Sequence, residues 1–301
     1  MGSRVEGGRC ILRRCAGGRG AGDEPITSRD DVRILFIADV IGSPGRRVLK
    51  QLLRLVKGDA RADAVIANGE NSAGGFGITP EIVAEFLEMG VDVITTGNHV
   101  WDKKEILPLL DSEPRLLRPA NYPPGNPGHG SVVREIGGVR LAVMNLQGRT
   151  FMAPIDDPFR AADALLAELK GQADVIVVEF HAEATSEKQA FARHLDGRVA
   201  AVVGTHTHVQ TADERVQPRG TARITDLGMT GGHDGIIGMK ADISIDRQLR
   251  QARGERMQPA DGDLRVQGAV VDVDEKTGLA RSIERVDVRY ERVLQGEFKR
   301  K

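Results

Sequence analysis

Eight polar side chains follow short apolar runs in the sequence, and their types are those that bind metal ions or transfer protons. They are Asp39, Glu70, Asn71, Asn98, His99, His181, His206 and His208. His206 and His208 are separated by one residue just after the apolar run 199–203, so both imidazoles can turn towards one point, as a metal ion requires. The set combines oxygen and imidazole donors without sulfur, which suits Fe, Mn or Zn and disfavours a thiolate site.

These groups are more numerous than one tetrahedral ion needs, so the sequence favours two ions with the Glu70 carboxylate as a bridge. Such pairs lie roughly 3.5–4 Å apart and clamp the attacking and leaving oxygens of an in-line displacement. Each residue alone has a simpler explanation. Asp39 can cap a helix or turn, Glu70 can be solvated, Asn98 can serve a turn, and His181 can be a hydrogen-bonded histidine. Their joint occurrence after five successive strands favours the metal site.

Hydrophobic spacing indicates the elements that must position these residues. Apolar runs predict strands over 34–38, 63–67, 91–95, 173–180 and 199–203. Helical spacing predicts helices over 46–57, 79–87, 102–110, 159–170 and 186–195. Glycine-rich segments predict a turn over 42–45 and a loop over 228–235. Antiparallel pairs are predicted over 132–144 and 264–289.

Strand–helix units followed by antiparallel strands predict an α/β fold, a mixed sandwich of two sheets with helices outside. Sites on such folds lie beyond the carboxyl ends of the strands, where each candidate ligand occurs. Residues 32–301 are expected to form a single domain. Residues 1–31, rich in glycine and arginine, are expected to be a disordered extension or a mis-called start.

Composition excludes several classes of function. The net charge of −1 gives no general field for nucleic acid, and the sequence has no dense run of lysine and arginine. No stretch approaches the roughly 18 unbroken apolar residues of a membrane helix. The two cysteines, Cys10 and Cys15, both precede the predicted domain, so a reducing, cytoplasmic setting fits.

The order of motifs resembles the calcineurin-like metallophosphoesterase superfamily over residues 32–290. The motifs are Asp39, Gly69-Glu70-Asn71, Gly97-Asn98-His99, His181 and Gly204-Thr205-His206-Thr207-His208. Ile41 stands where the superfamily usually has histidine, and Glu70 where it usually has aspartate. Both departures are those of the bacterial YmdB-like branch, associated with phosphodiesterase action on 2',3'- and 3',5'-cyclic nucleotides. The resemblance implies a four-layer α-β-β-α sandwich with mixed sheets.

The resemblance also implies a role for each residue. The first metal would be bound by Asp39, Asn71 and His208, and the second by Asn98, His181 and His206. Glu70 would bridge the two ions, which are expected to be Fe and/or Mn, with Zn as an alternative. Hydroxide held between the ions would attack phosphorus in line, and His99, off the metals, would act as general acid towards the leaving sugar oxygen.

Substrate contacts are expected from Gly75, Phe76, Trp101 and His233. Gly75 lies in a loop whose backbone can approach an anion or serve only as a flexible turn, and the two aromatic rings can stack on a base or simply pack. For His233 the sequence favours a solvated side chain over a contact to phosphate or base. The alternatives to a phosphodiesterase are a phosphomonoesterase, such as a nucleotidase or protein phosphatase, and a nucleotide-sensing regulatory protein. The resemblance further implies a homo-oligomer.

Overall fold

A computed structural model describes residues 31–250 and 254–296. In chain order its strands are β1 (Asp31–Ile37), β2 (Asp39–Val40), β3 (Ala64–Asn68), β4 (Val93–Thr95), β5 (Ser131–Ile136), β6 (Val139–Gln147), β7 (Val175–His181), β8 (Ala201–Thr205), β9 (Arg215–Val216), β10 (Ala222–Ile224), β11 (Met229–Gly232), β12 (Leu264–Asp274) and β13 (Leu279–Arg289). Its α-helices are α1 (Gly42–Ala60), α2 (Pro80–Glu88), α3 (Leu107–Ser112), α4 (Pro158–Leu169), α5 (Thr185–His194), α6 (Ala241–Arg250) and α7 (Tyr290–Leu294). A 3-10 turn, Lys104–Ile106, precedes α3.

The strands form two mixed sheets. In the first, β1, β3 and β4 are parallel neighbours, and β12 pairs antiparallel with β1, β11 and β13. The short β2 runs parallel to β11. In the second sheet the order is β5-β6-β7-β8-β10-β9, with β6, β7, β8 and β10 parallel and an antiparallel strand at each edge. In each sheet, parallel strands carry the residues that lead into the candidate site.

The two sheets pack face to face with helices on the outside. Phe36 and Ile66 of the first sheet share one core with Val143 and Val177 of the second. The opposite face of the first sheet packs against α1 and α2, and that of the second against α4 and α5. This arrangement is a four-layer α-β-β-α sandwich, so the predicted fold class is confirmed.

Two glycine-rich segments were predicted wrongly as turn and loop. The segment 42–45 is the first turn of α1, and 229–232 is the strand β11. A Cβ on Gly45 would lie 2.4 Å from the carbonyl oxygen of Thr230, and one on Gly232 would lie 2.4 Å from that of Ala260. Glycine is present at both positions because neighbouring backbone approaches closely, not because the chain turns. The helix predicted over 102–110 is a 3-10 turn followed by α3, and α6 and α7 were not predicted.

The expectation for residues 1–31 lies outside the described residues, apart from Asp31, which begins β1. That residues 32–301 form one domain stays a prediction. Within 31–250 and 254–296, no helix has the length and apolar character needed to cross a membrane.

A buried ion pair joins α5 to the segment after β10. Lys188 Nζ lies 2.8 Å from Asp226 Oδ2, and both side chains are almost fully buried. Removing one partner of such a pair leaves the other charge buried and unpaired. We expect Lys188→Met to lower the free energy of unfolding by about 3 kcal/mol in urea denaturation. The exposed Lys170→Met should change it by less than about 0.5 kcal/mol; equal urea midpoints for the two variants would contradict a stabilising role for this pair.

Candidate metal centre

The residues that follow five strands meet where the carboxyl ends of the two sheets come together. Asp39 begins β2 directly after β1, and Glu70 and Asn71 follow β3. Asn98 and His99 follow β4, His181 ends β7, and His206 and His208 follow β8. Parallel strands deliver their following loops to one edge, which explains why residues far apart in sequence become neighbours here.

One group of ligand atoms surrounds the His181 imidazole. Its Nε2 lies 2.9 Å from Glu70 Oε1, 3.1 Å from Asn98 Oδ1 and 3.0 Å from His206 Nδ1. Among the described residues, Glu70, His181 and His206 form a group of three whose ligand atoms all lie within 4.8 Å of one another. Four atoms that can each offer a lone pair thus converge on one small volume, as a cation site requires.

A second group lies on the other side of Glu70. Asn71 Nδ2 lies 3.4 Å from Asp39 Oδ1, 3.2 Å from His208 Nε2 and 3.3 Å from Glu70 Oε1. His208 Nε2 is 3.6 Å from Asp39 Oδ1. The Asn71 amide points its nitrogen at these groups, and a half-turn about its last side-chain bond presents the oxygen instead. The Glu70 carboxylate therefore contacts both groups.

The charges in the centre are strongly coupled. Burial would raise the pKa of Asp39, but the hydrogen bond and charge of His208 lower it overall. Conversely, burial would lower the pKa of His208, but Asp39 raises it to about 9. Against the effect of burial, His181 lowers the pKa of Glu70, and Glu70 raises the pKa of His181. Burial and the charge of His181 lower the pKa of His206 to about 3, which leaves this imidazole neutral.

The backbone at the two neighbouring histidines is unusual. His206 has φ of 95° and His208 has φ of 63°. Non-glycine residues rarely adopt positive φ, and they do so mainly where the surrounding structure holds them in place. The strain indicates that these imidazoles are placed for a purpose other than packing.

His99 lies beside both groups without joining them. Its Nδ1 is 2.8 Å from Asp102 Oδ2, its ring meets the Phe76 ring edge-on at 5.1 Å, and its backbone N–H donates to Glu70 Oε2 at 3.2 Å. The side chain is 29% exposed, unlike the fully buried His181. A histidine oriented by a carboxylate and open to solvent can exchange protons with a bound molecule.

A cavity of about 480 Å³ opens above the centre. Gly75 and Phe76 line it, together with Arg247 of α6 and Glu183. A second cavity of about 490 Å³ shares Phe76, His99 and Arg247 with the first. Arg247 and Glu183 were not predicted from the sequence. Glu183 Oε2 lies 3.0 Å from His206 Nε2, so the nitrogen that faces away from the centre has a carboxylate partner.

Two of the predicted substrate contacts lie elsewhere. Trp101 packs edge-on against Tyr122 at 5.1 Å and does not line either cavity. His233 also lies outside both cavities, with its Nε2 3.3 Å from the carbonyl oxygen of Met229. Burial lowers the pKa of His233, so this half-buried ring is not the freely solvated side chain that the sequence favoured.

Two mixed sheets with carboxylate, amide and imidazole groups converging beyond their strands define an α/β sandwich with a candidate metal centre. Several known proteins are similar to this chain over most of its length. A family model described as "YmdB-like protein" matches residues 35–286. The sequence is 50% identical over 255 residues to a 2',3'-cyclic-nucleotide 2'-phosphodiesterase of Bacillus subtilis, covering 85% of this chain and 96% of that protein.

Solved structures agree with the sequence comparisons. A hypothetical protein of Thermus thermophilus is 44% identical, with a TM-score of 0.78, over 86% of this chain and 99% of that one. A protein of Mycoplasma pneumoniae described as a novel phosphatase is 34% identical, with a TM-score of 0.80, over 86% of this chain and 94% of that one. The chain belongs to the YmdB-like protein family.

Proposed function

We propose that the protein is a metal-dependent phosphodiesterase that hydrolyses cyclic nucleotides, 2',3'-cyclic or 3',5'-cyclic. The observation that carries this proposal is the convergence of Glu70 Oε1, Asn98 Oδ1, His181 Nε2 and His206 Nδ1 beside a second group that shares Glu70. The substrate class is supported by the name of the relative from Bacillus subtilis.

The donor set fits two cations. It contains carboxylate, amide and imidazole atoms and no sulfur, which suits Fe and Mn, with Zn as an alternative. The first ion would be held by Asp39, Asn71 and His208, and the second by Asn98, His181 and His206. Glu70, in contact with both groups, would be shared. When bound, such ions neutralise phosphoryl oxygens and make a nucleophile available from water near neutral pH.

His99 is assigned the role of general acid. The Asp102 carboxylate, 2.8 Å away, accepts a hydrogen bond from Nδ1–H and orients the ring, which leaves Nε2 as the nitrogen that can serve a leaving oxygen. Because His99 borders the cavity and stays outside both ligand groups, its proton is not displaced by a cation.

Arg247 is proposed to bind the anionic substrate from α6. It lines both cavities and forms no hydrogen bond or ion pair with the residues in 31–250 and 254–296. A charge-assisted hydrogen bond lost on Arg247→Ala should raise KM about tenfold while kcat changes little. The matched control is Arg250→Ala, one turn later on the same helix, whose side chain is 74% exposed and pairs with Asp246. Equal KM values for the two variants would remove Arg247 from the binding site.

Metal affinity should rise with pH. In the metal-free protein the pKa of His208 is about 9, so the ring is protonated at pH 7 and a cation must displace that proton. The apparent affinity is expected to increase by up to about tenfold per pH unit from pH 7 and to level off near pH 9. Competition with a chelator at several pH values measures this slope. An affinity that does not change with pH would show that His208 is not a ligand.

The function itself is tested on protein purified without added metal and then reconstituted with Mn²⁺, Fe²⁺ or Zn²⁺. We expect metal-dependent turnover of 2',3'-cyclic and 3',5'-cyclic nucleotides, and faster turnover of bis-p-nitrophenyl phosphate than of p-nitrophenyl phosphate. The reverse order would indicate a phosphomonoesterase. Nucleotide binding without metal-dependent hydrolysis would indicate a regulatory protein. A homo-oligomer and a cytoplasmic location stay predictions.

A further inference from the structure

The segment that carries His206 and His208 is anchored through the threonines that alternate with them. The histidines contact the candidate metal centre, whereas Thr205 and Thr207 contact two buried carboxylates that the sequence did not single out. Thr205 Oγ1 lies 3.1 Å from Glu179 Oε1, and Thr207 Oγ1 lies 2.7 Å from Asp226 Oδ2. Glu179 and Asp226 are each 1% exposed, so neither interacts with solvent to any extent.

The Glu179 carboxylate joins the two sheets next to the centre. Besides Thr205, it accepts hydrogen bonds from Asn68 Nδ2 at 2.5 Å and Thr95 Oγ1 at 2.5 Å, and both donors belong to the first sheet. The Oδ1 atom of Asn68 in turn accepts the backbone N–H of Glu70 at 3.0 Å. One buried carboxylate is thus connected to the loop of Glu70 on one side and to β8 on the other.

The hydrogen bonds of this network determine which ring nitrogen of His181 carries the proton. Glu179 receives three hydrogen bonds, from Asn68 Nδ2 and Thr205 Oγ1 at Oε1 and from Thr95 Oγ1 at Oε2, which is the arrangement of an ionised carboxylate. An ionised carboxylate only accepts hydrogen bonds, so the single hydroxyl proton of Thr205 is donated to Glu179. Thr205 Oγ1 must then accept from His181 Nδ1, which lies 2.9 Å away. When the ring is neutral, as a ligand imidazole must be, its proton is therefore on Nδ1 and its lone pair on Nε2, the atom that faces Glu70 and Asn98.

The Asp226 carboxylate anchors Thr207, two residues after Thr205. Its Oδ2 accepts from both the backbone N–H of Thr207 at 3.1 Å and the hydroxyl of Thr207, and Lys188 Nζ lies 2.8 Å from the same atom. Thr207 stands between His206 and His208, the two residues with positive φ. Contacts to both the backbone and the side chain of Thr207 oppose relaxation of that conformation.

We propose that Thr205 with Glu179, and Thr207 with Asp226, are positioning pairs: the first sets the tautomer of His181, and the second holds His206 and His208 towards the centre. A ligand histidine whose far nitrogen is fixed by a hydrogen bond presents the correct atom without rearrangement. The consequence for metal affinity rests on the proposed function, because it assumes that cations occupy the centre.

The test compares Thr205→Val, which removes the hydroxyl at nearly constant shape, with Thr205→Ser, which keeps it. The probe is Zn²⁺ alone, measured at pH 8 by competition with a chelator in the absence of substrate. We expect Thr205→Val to bind Zn²⁺ about 10–100-fold more weakly than the wild type, and Thr205→Ser to stay close to the wild type. Thr207→Val and Thr207→Ser form a second pair with a smaller expected loss, since the backbone contact of Thr207 to Asp226 remains.

A spectroscopic readout separates positioning from general destabilisation. In the zinc-loaded wild type with ¹⁵N-labelled histidine, the Nδ1–H of His181 should be protected from exchange, and this signal should be lost in Thr205→Val and return in Thr205→Ser. If Thr205→Val does not fold, Thr205→Ala replaces it. If Thr205→Val binds Zn²⁺ as tightly as the wild type and its His181 Nδ1–H is still protected, the positioning role of Thr205 is wrong. That result would leave the proposed metal centre unaffected. A wild type that does not bind Zn²⁺ would overturn the proposed metal centre as well.

Discussion

Replacing Glu70 by alanine is expected to abolish metal retention and to lower kcat/KM for cyclic nucleotides by about 10³-fold or more. Glu70 is fully buried, and its Oε1 lies 2.9 Å from His181 Nε2 and 3.3 Å from Asn71 Nδ2. Its removal takes a negative charge from both ligand groups at once, so each cation would lose charge compensation. Elemental analysis of the purified variant gives the metal-to-protein ratio, and turnover is measured on the same sample.

The control for this substitution is Glu81→Ala, at the exposed start of α2. It makes the same chemical change away from the centre, and its metal content and turnover should match those of the wild type. A Glu70→Ala variant that keeps both ions would show that the two groups hold their metals independently, and the shared role of Glu70 would then be wrong.

His99→Ala is expected to separate metal binding from turnover. The ring lies outside both ligand groups, so metal content should be unchanged, whereas loss of a general acid typically costs 10²–10⁴-fold in rate, about the range expected here. The loss should be large for cyclic nucleotides, whose leaving sugar oxygen needs a proton. It should be small for bis-p-nitrophenyl phosphate, whose leaving phenolate departs without one.

The matched control is His129→Ala, an exposed histidine that does not line either cavity. Asp102→Asn provides an intermediate case, because it keeps the His99 ring and removes the carboxylate that accepts the Nδ1 hydrogen bond and orients the ring. The rate of this variant should fall less than that of His99→Ala. Equal losses for both leaving groups would place His99 in substrate binding instead of proton transfer.

Much of the framework could be predicted because its strands are buried on both faces. The apolar runs 63–67 and 173–180 correspond closely to β3 and β7, since continuous apolar residues leave little alternative to a central parallel strand. The candidate ligands follow these runs directly. Their convergence could therefore be expected from the rule that loops after parallel strands share an edge.

The remainder depends on contacts that residue type does not indicate. Gly45 and Gly232 indicated a turn and a loop, but each provides room for a neighbouring carbonyl. The helix α6 buries little more than Ile243 and Ser244, so its apolar pattern is weak. Because the helix was not predicted, the position of Arg247 was not predicted either. A signal for Glu179 was present: a carboxylate inside the apolar run of β7 needs buried partners, and these come from three other strands.

The pairing of β1 with β12 has a consequence for the order in which the protein matures during synthesis. β1 contains the first described residue, Asp31, which pairs with Asp274 near the other end of the chain. The second sheet draws its strands from residues 131–224 and can assemble once that stretch has left the ribosome. The first sheet cannot, because its central strand is translated late. Contacts of such high sequence separation form slowly. The first sheet, and with it the position of Asp39 beside the other candidate ligands, is therefore completed only after β12 has been translated.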